Sequence, residues 1–286
     1  MKDESLALPN SRVLAYAEYG EPNGKPVFLF HGMPGSRLFR PSDEVTKRLG
    51  VRLITVDRPG YGGSTFQPNR RFLDWPDDVT ALADHLGLDK FAVCGHSGGA
   101  PYVLACAYKI PKRLTAAGVI SGVGPVDDPH ALDGMMPTNR MGFRVGRYFP
   151  WPIWRALIWT FYHRGREHPE EFIKPDEKNP SNHDNIVFEN PAVLDNCRAS
   201  VREALRPGLR GHAWEGYLQV RPWGFRLEDI KMPVHVWHGE ADVDASIGMA
   251  RAVAARIPNC RATFYPNEGH IFIFPRWEEI LTSLIQ

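Results

Sequence analysis

The chain has 286 residues, with 34 Lys and Arg against 33 Asp and Glu and a formal net charge of +1. It carries neither the basic excess that would suit nucleic acid nor an acidic solvating tail. Its length suits one large α/β domain with an insertion, or two small domains, and is enough to bury a sizeable core. The 4 cysteines (Cys94, Cys106, Cys197, Cys260) are scattered and form no C-x-x-C pair. Neither a disulfide framework nor a zinc site is expected, and no cofactor. The N-terminus, Met1-Lys2-Asp3-Glu4-Ser5, is acidic where an export signal would be basic and then apolar. No apolar run approaches the roughly 18 residues of a membrane span. A cytoplasmic protein is expected, with a small-molecule substrate, no nucleic-acid partner, no membrane span, and a homodimer as a candidate assembly.

Taken in order, Arg12 to Tyr19 alternates partly and ends in a Gly/Pro-rich turn, which predicts a strand. Val27-Phe28-Leu29-Phe30 is a continuous apolar run of the buried parallel kind and ends in His31-Gly32-Met33-Pro34-Gly35-Ser36-Arg37. Residues 38–49 read as helix. Val51 to Val56 is the next strand and runs into Asp57-Arg58-Pro59-Gly60-Tyr61-Gly62-Gly63-Ser64. A helix is predicted over 75–86, where Val79, Leu82, Ala83 and Leu86 fall at helical spacing. Phe91 to Cys94 is a strand, a helix follows through Ala100, Val103, Leu104 and Ala107, and Leu114 to Ile120 is again a strand. This strand–helix alternation argues for a parallel sheet with right-handed crossovers.

The rhythm breaks after residue 121. Residues 122–229 hold five of the 8 tryptophans (Trp151, Trp154, Trp159, Trp214, Trp223) and read as an insertion lying over the sheet, helical around 154–162 and 191–205. The α/β rhythm resumes with strands at 234–237 and 262–265 and helices near 247–256 and 277–284. The expected division is therefore a core of 1–121 and 230–286 with a mainly helical cap of 122–229.

Between the strand at 91–94 and its helix stands Gly95-His96-Ser97-Gly98-Gly99. A strand that turns into a helix within a few residues needs glycines beside the turn and pushes the serine hydroxyl outward. The backbone N–H groups that follow open a helix and point at any developing negative charge. A serine hydroxyl needs a base at hydrogen-bond distance. His270, in a glycine-flanked loop after the last strand, is the candidate. Ser97, Asp242 and His270 each follow a predicted strand end, where open parallel sheets bind ligands. Their order, Ser–Asp–His, is that of α/β-hydrolases and of neither protease arrangement.

These pieces, with Gly95-His96-Ser97-Gly98-Gly99, His31-Gly32-Met33-Pro34-Gly35, Asp57-Arg58-Pro59-Gly60-Tyr61-Gly62-Gly63-Ser64, His238-Gly239-Glu240-Ala241-Asp242 and Gly269-His270, resemble an α/β-hydrolase-fold serine hydrolase. The resemblance implies Ser97 as nucleophile, His270 as base and Asp242 as the acid that orients it, Asp242 standing three residues past Gly239. Asp244, and Asp127 or Asp128 after the preceding strand, remain alternatives. Gly98 and Met33 are the expected oxyanion donors, with Gly32, Pro34 and Gly35 shaping the loop. His31, His96 and His238 read as structural. Arg37, Arg58 and Trp154 are candidate substrate contacts. The competing expectation makes the two arginines loop anchors, Arg58 pairing with Asp57 or Glu240, and most cap aromatics a self-packed core.

Hydrolysis of a carboxylic ester or lactone of a small to medium apolar substrate is the leading expectation. The His31–Gly35 and Asp57–Gly62 loops also resemble those of proline iminopeptidases. Those enzymes usually carry a tryptophan where Gly98 stands and use acidic cap residues for the substrate amine, which the sequence does not locate. Carbon–carbon bond hydrolysis, perhydrolysis and a non-enzymatic receptor on the same scaffold are further alternatives. Epoxide hydrolases and haloalkane dehalogenases, similar in fold, place an aspartate where Ser97 stands.

Overall fold

The computed structural model describes residues 2–175 and 183–286. Eight strands form one sheet: β1 Lys2–Ala7, β2 Val13–Gly20, β3 Lys25–Phe30, β4 Val51–Val56, β5 Phe91–His96, β6 Leu114–Ile120, β7 Val234–Gly239 and β8 Cys260–Tyr265. Their order is β1-β2-β4-β3-β5-β6-β7-β8. The β1–β2 and β2–β4 pairs are antiparallel and every pair from β4 to β8 is parallel. This is the mostly parallel sheet expected, extended by one strand: β1 is too polar to show an apolar pattern.

The α-helices among the described residues are α1 Asp43–Arg48, α2 Trp75–His85, α3 Ala100–Lys109, α4 Pro137–Gly146, α5 Trp151–Tyr162, α6 Asp184–Phe188, α7 Pro191–Leu205, α8 Arg210–Gln219, α9 Ile247–Arg256 and α10 Trp277–Leu284. Alternation along the strands sorts the two faces of the sheet. Phe28, Phe30 and Val93 pack with α2, α3 and α9 through Val79, Val103 and Val253. Val27, Leu29 and Cys94 face the other way, towards Trp277, Ile280 and Leu281 of α10. Burial on both faces is why these strands read as apolar runs rather than alternating ones.

The helix expected over 38–49 is shorter. It begins at Asp43, where the Ser42 side chain accepts from the Val45 N–H at 3.2 Å. Pro41 disfavours helical backbone at Arg40. Residues 36–40 form instead a loop held by Arg37. Between β6 and β7 the chain builds α4 to α8. The expectation there named the regions of α5 and α7 and left out α4, α6 and α8. Among the described residues no helix is long and apolar enough to cross a membrane.

The strand order places β4 and β5 on opposite sides of β3, so the chain reverses its direction of travel across the sheet at the β3–β5 border. Ligands bind outside the strand ends at such a reversal. Ser97 follows β5 and Met33 follows β3, so the two flank this crevice.

Candidate active site

The turn after β5 is tight. A Cβ on Gly95 would lie 2.7 Å from the Gly99 carbonyl oxygen, and one on Gly99 would lie 2.4 Å from that of Phe30. Neither position admits a side chain. Ser97 itself has φ of 54°, in the left-handed region that a non-glycine residue avoids unless its surroundings enforce it. Residues Ser97–Gly99 form a short 3-10 turn leading directly into α3, so the Gly98 N–H opens a helix. Ser97 and Met33 are half-buried.

His270, after β8, is held on every side. Its ring Nδ1 lies 2.7 Å from Asp242 Oδ2. Its backbone N–H donates to Asp184 Oδ2 at 2.9 Å. Its carbonyl accepts from Ser121 Oγ at 2.7 Å and from His96 Nε2 at 3.0 Å. The structure thus brings Asp242 to the imidazole. Asp244 turns elsewhere and accepts from Asn139 Nδ2 at 3.1 Å. Asp127 pairs with Arg256 at 3.0 Å, and Asp128 accepts from the His130 N–H within a turn. Asp242 is 3 % exposed, and its Oδ1 accepts from the backbone N–H groups of Asp244 and Ala245 at 2.9 and 3.0 Å.

The electrostatics follow from burial and pairing. Burial alone would lower the His270 pKa, but the Asp242 charge and hydrogen bond, with Asp244 and Asp184 nearby, carry it above 6.5. Burial would raise Asp242, and the His270 charge and hydrogen bond bring it below 3.8. His96 is pushed down to about 3 by burial first, then by the His270 charge, and His31 also lies well below its ordinary value. The His270 carbonyl can only accept, so His96 Nε2 is the N–H donor in that contact. His238 Nε2 lies 2.7 Å from the Ala245 carbonyl and 3.4 Å from Asp242 Oδ2, behind the carboxylate.

Arg37 and Arg58 are corrected as substrate contacts. Arg58 is fully buried. Its guanidinium donates to the carbonyls of His31 and of Gly32, the latter at 2.9 Å. It also pairs with Glu215 of α8, through Nε at 3.0 Å and through Nη2. Its partner is thus neither Asp57 nor Glu240. Arg37 pairs with Asp57 and Glu203 at 2.7 Å and with Asp3 at 2.6 Å. Both guanidiniums have their donors engaged in fastening loops. Trp154 is corrected too: it is 8 % exposed, donates from Nε1 to the Ala213 carbonyl at 2.8 Å and packs on Gly146 and Gly216. It belongs to the interior of the helical segment.

Four residues at the site went unnoticed in the sequence. Asp184 grips the His270 loop, its Oδ1 accepting from the Ile271 N–H at 2.9 Å. Glu215 Oε2 receives Tyr102 Oη and Arg70 Nη2, each at 3.2 Å, besides Arg58. Gln219, one turn further along α8, stands beside Gly98. Ser121, with φ of 46°, is the fourth. Each lies outside the quoted motifs. Only the buried-face spacing of Glu215 and Gln219 could have signalled two of them.

A family model described as the alpha/beta hydrolase fold matches residues 25–146. The chain is 35% identical over 288 residues to a proline iminopeptidase of Lactobacillus helveticus, covering 94% of this chain and 92% of that relative. It is 26% identical to the bifunctional esterase/perhydrolase DCH of Acinetobacter calcoaceticus, over 89% of this chain and 88% of that one. Some other relatives are matched over only 31% to 36% of their own length, so the chain spans about a third of them. A solved hydrolase from Pseudomonas aeruginosa PA01 superposes with a TM-score of 0.72 at 19% identity, covering 99% of this chain and 98% of that one. Fold, strand-end geometry and a full-length relative agree: the chain belongs to the α/β-hydrolase family.

Proposed function

We propose that the protein is a serine hydrolase that cleaves a carboxylic ester or lactone of a small to medium apolar substrate through an acyl-enzyme on Ser97. His270 Nδ1–H donates to Asp242, which leaves Nε2 free to take the Ser97 proton as Oγ attacks the carbonyl carbon. The N–H groups of Gly98 and Met33 receive the developing oxyanion. Collapse breaks the C–O bond, and His270 returns the proton to the leaving alkoxide. Water then attacks the acyl-enzyme with His270 again as base, releasing the acid and restoring Ser97. The helical segment 122–229 acts as the cap over this crevice.

The observation that favours an ester over an aminopeptidase substrate is the state of Glu215. A cap carboxylate does reach the site, with Oε1 3.5 Å from where a Gly98 Cβ would be. It is fully buried and already paired with Arg58 and Arg70. A substrate ammonium would have to displace two guanidiniums from a desolvated carboxylate, or sit beside them unpaired, and either is costly. The aminopeptidase reading stays as the second one because a full-length relative at 35% identity is a proline iminopeptidase. Side-by-side kinetics with p-nitrophenyl butyrate and proline p-nitroanilide separate them. Turnover of the ester with little or none of the anilide is expected, and a higher kcat/KM on the anilide would reverse the order. Four free cysteines, three of them buried, suit a reducing cytoplasm. A homodimer is the candidate assembly.

A further inference from the structure

Gln219 is a polar side chain 1 % exposed. Its Nε2 has no hydrogen-bond partner among the described residues. A buried amide donor left open calls for an explanation. Its position supplies one. A Cβ on Gly98 would lie 2.7 Å from Gln219 Nε2 and 2.9 Å from Met33 Cβ. The amide thus stands against Gly98, at the same spot that Met33 approaches, and these are the two residues proposed as oxyanion donors. It approaches Gly98 along the direction a side chain would take, not along the N–H. It therefore stands beside the oxyanion position rather than at it.

The sheet order says which part of a substrate lies there. Met33 comes from β3, on one side of Ser97, whereas His270 comes from β8, on the other. The leaving group must lie next to His270 to receive its proton, so the Met33 side is left to the acyl portion. With the carbonyl oxygen about 3 Å from the Gly98 N–H, Nε2 is within reach of a substituent on the carbon attached to the carbonyl.

Resting on the ester reading, we propose that Gln219 determines acyl specificity: its side-chain amide donates a hydrogen bond to an oxygen carried on the α-carbon of the acyl group. The preferred substrates are then esters or lactones of 2-alkoxy, 2-hydroxy or 2-oxo acids. Gly98 is part of the same device, because any side chain there would displace the amide. Glu215, one turn back on α8 and locked to Arg58, holds the helix in register.

The test uses two acyl groups of nearly equal shape, methoxyacetyl and butyryl, as p-nitrophenyl esters. kcat/KM is measured for each with the wild type, Gln219→Met and Gln219→Glu, and divided by the ester's rate with hydroxide. The ratio of the two corrected constants does not depend on how much of a variant is folded. The wild type is expected to favour the methoxyacetyl ester, and both variants to lose about tenfold of that preference, the size of one hydrogen bond. A wild type indifferent to the oxygen overturns the proposal. So do variants that slow on both esters equally, which would make Gln219 an oxyanion donor or a packing residue. No hydrolysis of either ester by the wild type overturns the ester reading, and this proposal with it.

Discussion

At the scale of single residues, the site is an imidazole fixed from four directions. Asp242 holds the ring, Asp184 the backbone N–H, and Ser121 and His96 the carbonyl. As the proposed base, His270 works only when neutral. Asp242 favours the imidazolium and raises the His270 pKa, so the wild-type rate rises with pH through a value above 6.5. Asp242→Asn removes that stabilisation. Its rising limb is expected to move to lower pH and kcat to fall by about 10⁴-fold, as the ring loses its orienting acceptor. A pH–rate profile of each enzyme checks both. Asp184→Ala is expected to free two backbone N–H groups, lower kcat roughly tenfold and leave the limb nearer its wild-type position, since the ring contact to Asp242 survives. A kcat equal to the wild type would show that the loop needs no such grip. Ser97, Asp242 and His270 could be singled out as candidates because glycine-bounded strand ends mark them, and the structure brings Asp242 to the His270 ring. Asp184 was not, because its role is a contact 86 residues away in sequence to a backbone N–H that any residue would offer.

At the scale of elements, α8 shows where periodicity fails. Its buried residues include His212, Glu215 and Gln219, spaced as one helical face. A stripe of polar residues gives no apolar signal, so the helix escapes a hydrophobic reading. The stripe is nonetheless buried, a polar face centred on the Glu215 carboxylate rather than a hydrocarbon one. Glu215 compensates Arg58 and Arg70, and Arg58 in turn holds the carbonyls of the Met33 loop. Glu215→Gln leaves two buried guanidiniums short of a counter-charge. It is expected to destabilise the fold by about 3–5 kcal/mol in urea unfolding. A loss below about 1 kcal/mol would mean that the arginines find other partners. By contrast, β3 to β7 were readable because both faces of each are apolar. β1 was not, because its sequence Lys2-Asp3-Glu4-Ser5-Leu6-Ala7 is too polar for an apolar run, and it pairs only with β2 along the sheet edge.

At the scale of the whole molecule, three successive helices between β6 and β7 each send one carboxylate to a loop that follows a strand of the sheet. Asp184 of α6 meets the loop after β8, Glu203 of α7 meets Arg37 after β3, and Glu215 of α8 meets Arg58 after β4. The segment between β6 and β7 is thereby fastened to the loops after β3, β4 and β8. The break in strand–helix rhythm between β6 and β7 was readable, but these fastenings were not, since each joins residues far apart in sequence. Glu203 makes the acid response testable. Burial would raise its carboxyl, yet hydrogen bonds from Arg206 and Arg37 hold it below its ordinary 4.5. Its contribution is therefore complete above that value and is lost as pH falls through the lowered one. The stability gap between wild type and Glu203→Gln, measured in urea, is expected to be larger at pH 7 than at pH 3. A gap independent of pH would place the Glu203 contribution in its packing.

All three scales meet at Ser97, and its proposed role as nucleophile is tested most directly by covalent capture. The protein is treated with a fluorophosphonate ester and digested, and the adduct is located by mass spectrometry. One phosphonyl group on Ser97, absent from Ser97→Ala together with at least a thousandfold of the esterase rate, is the expected result. An adduct on another residue, or a Ser97→Ala variant that keeps its esterase activity, would contradict the account.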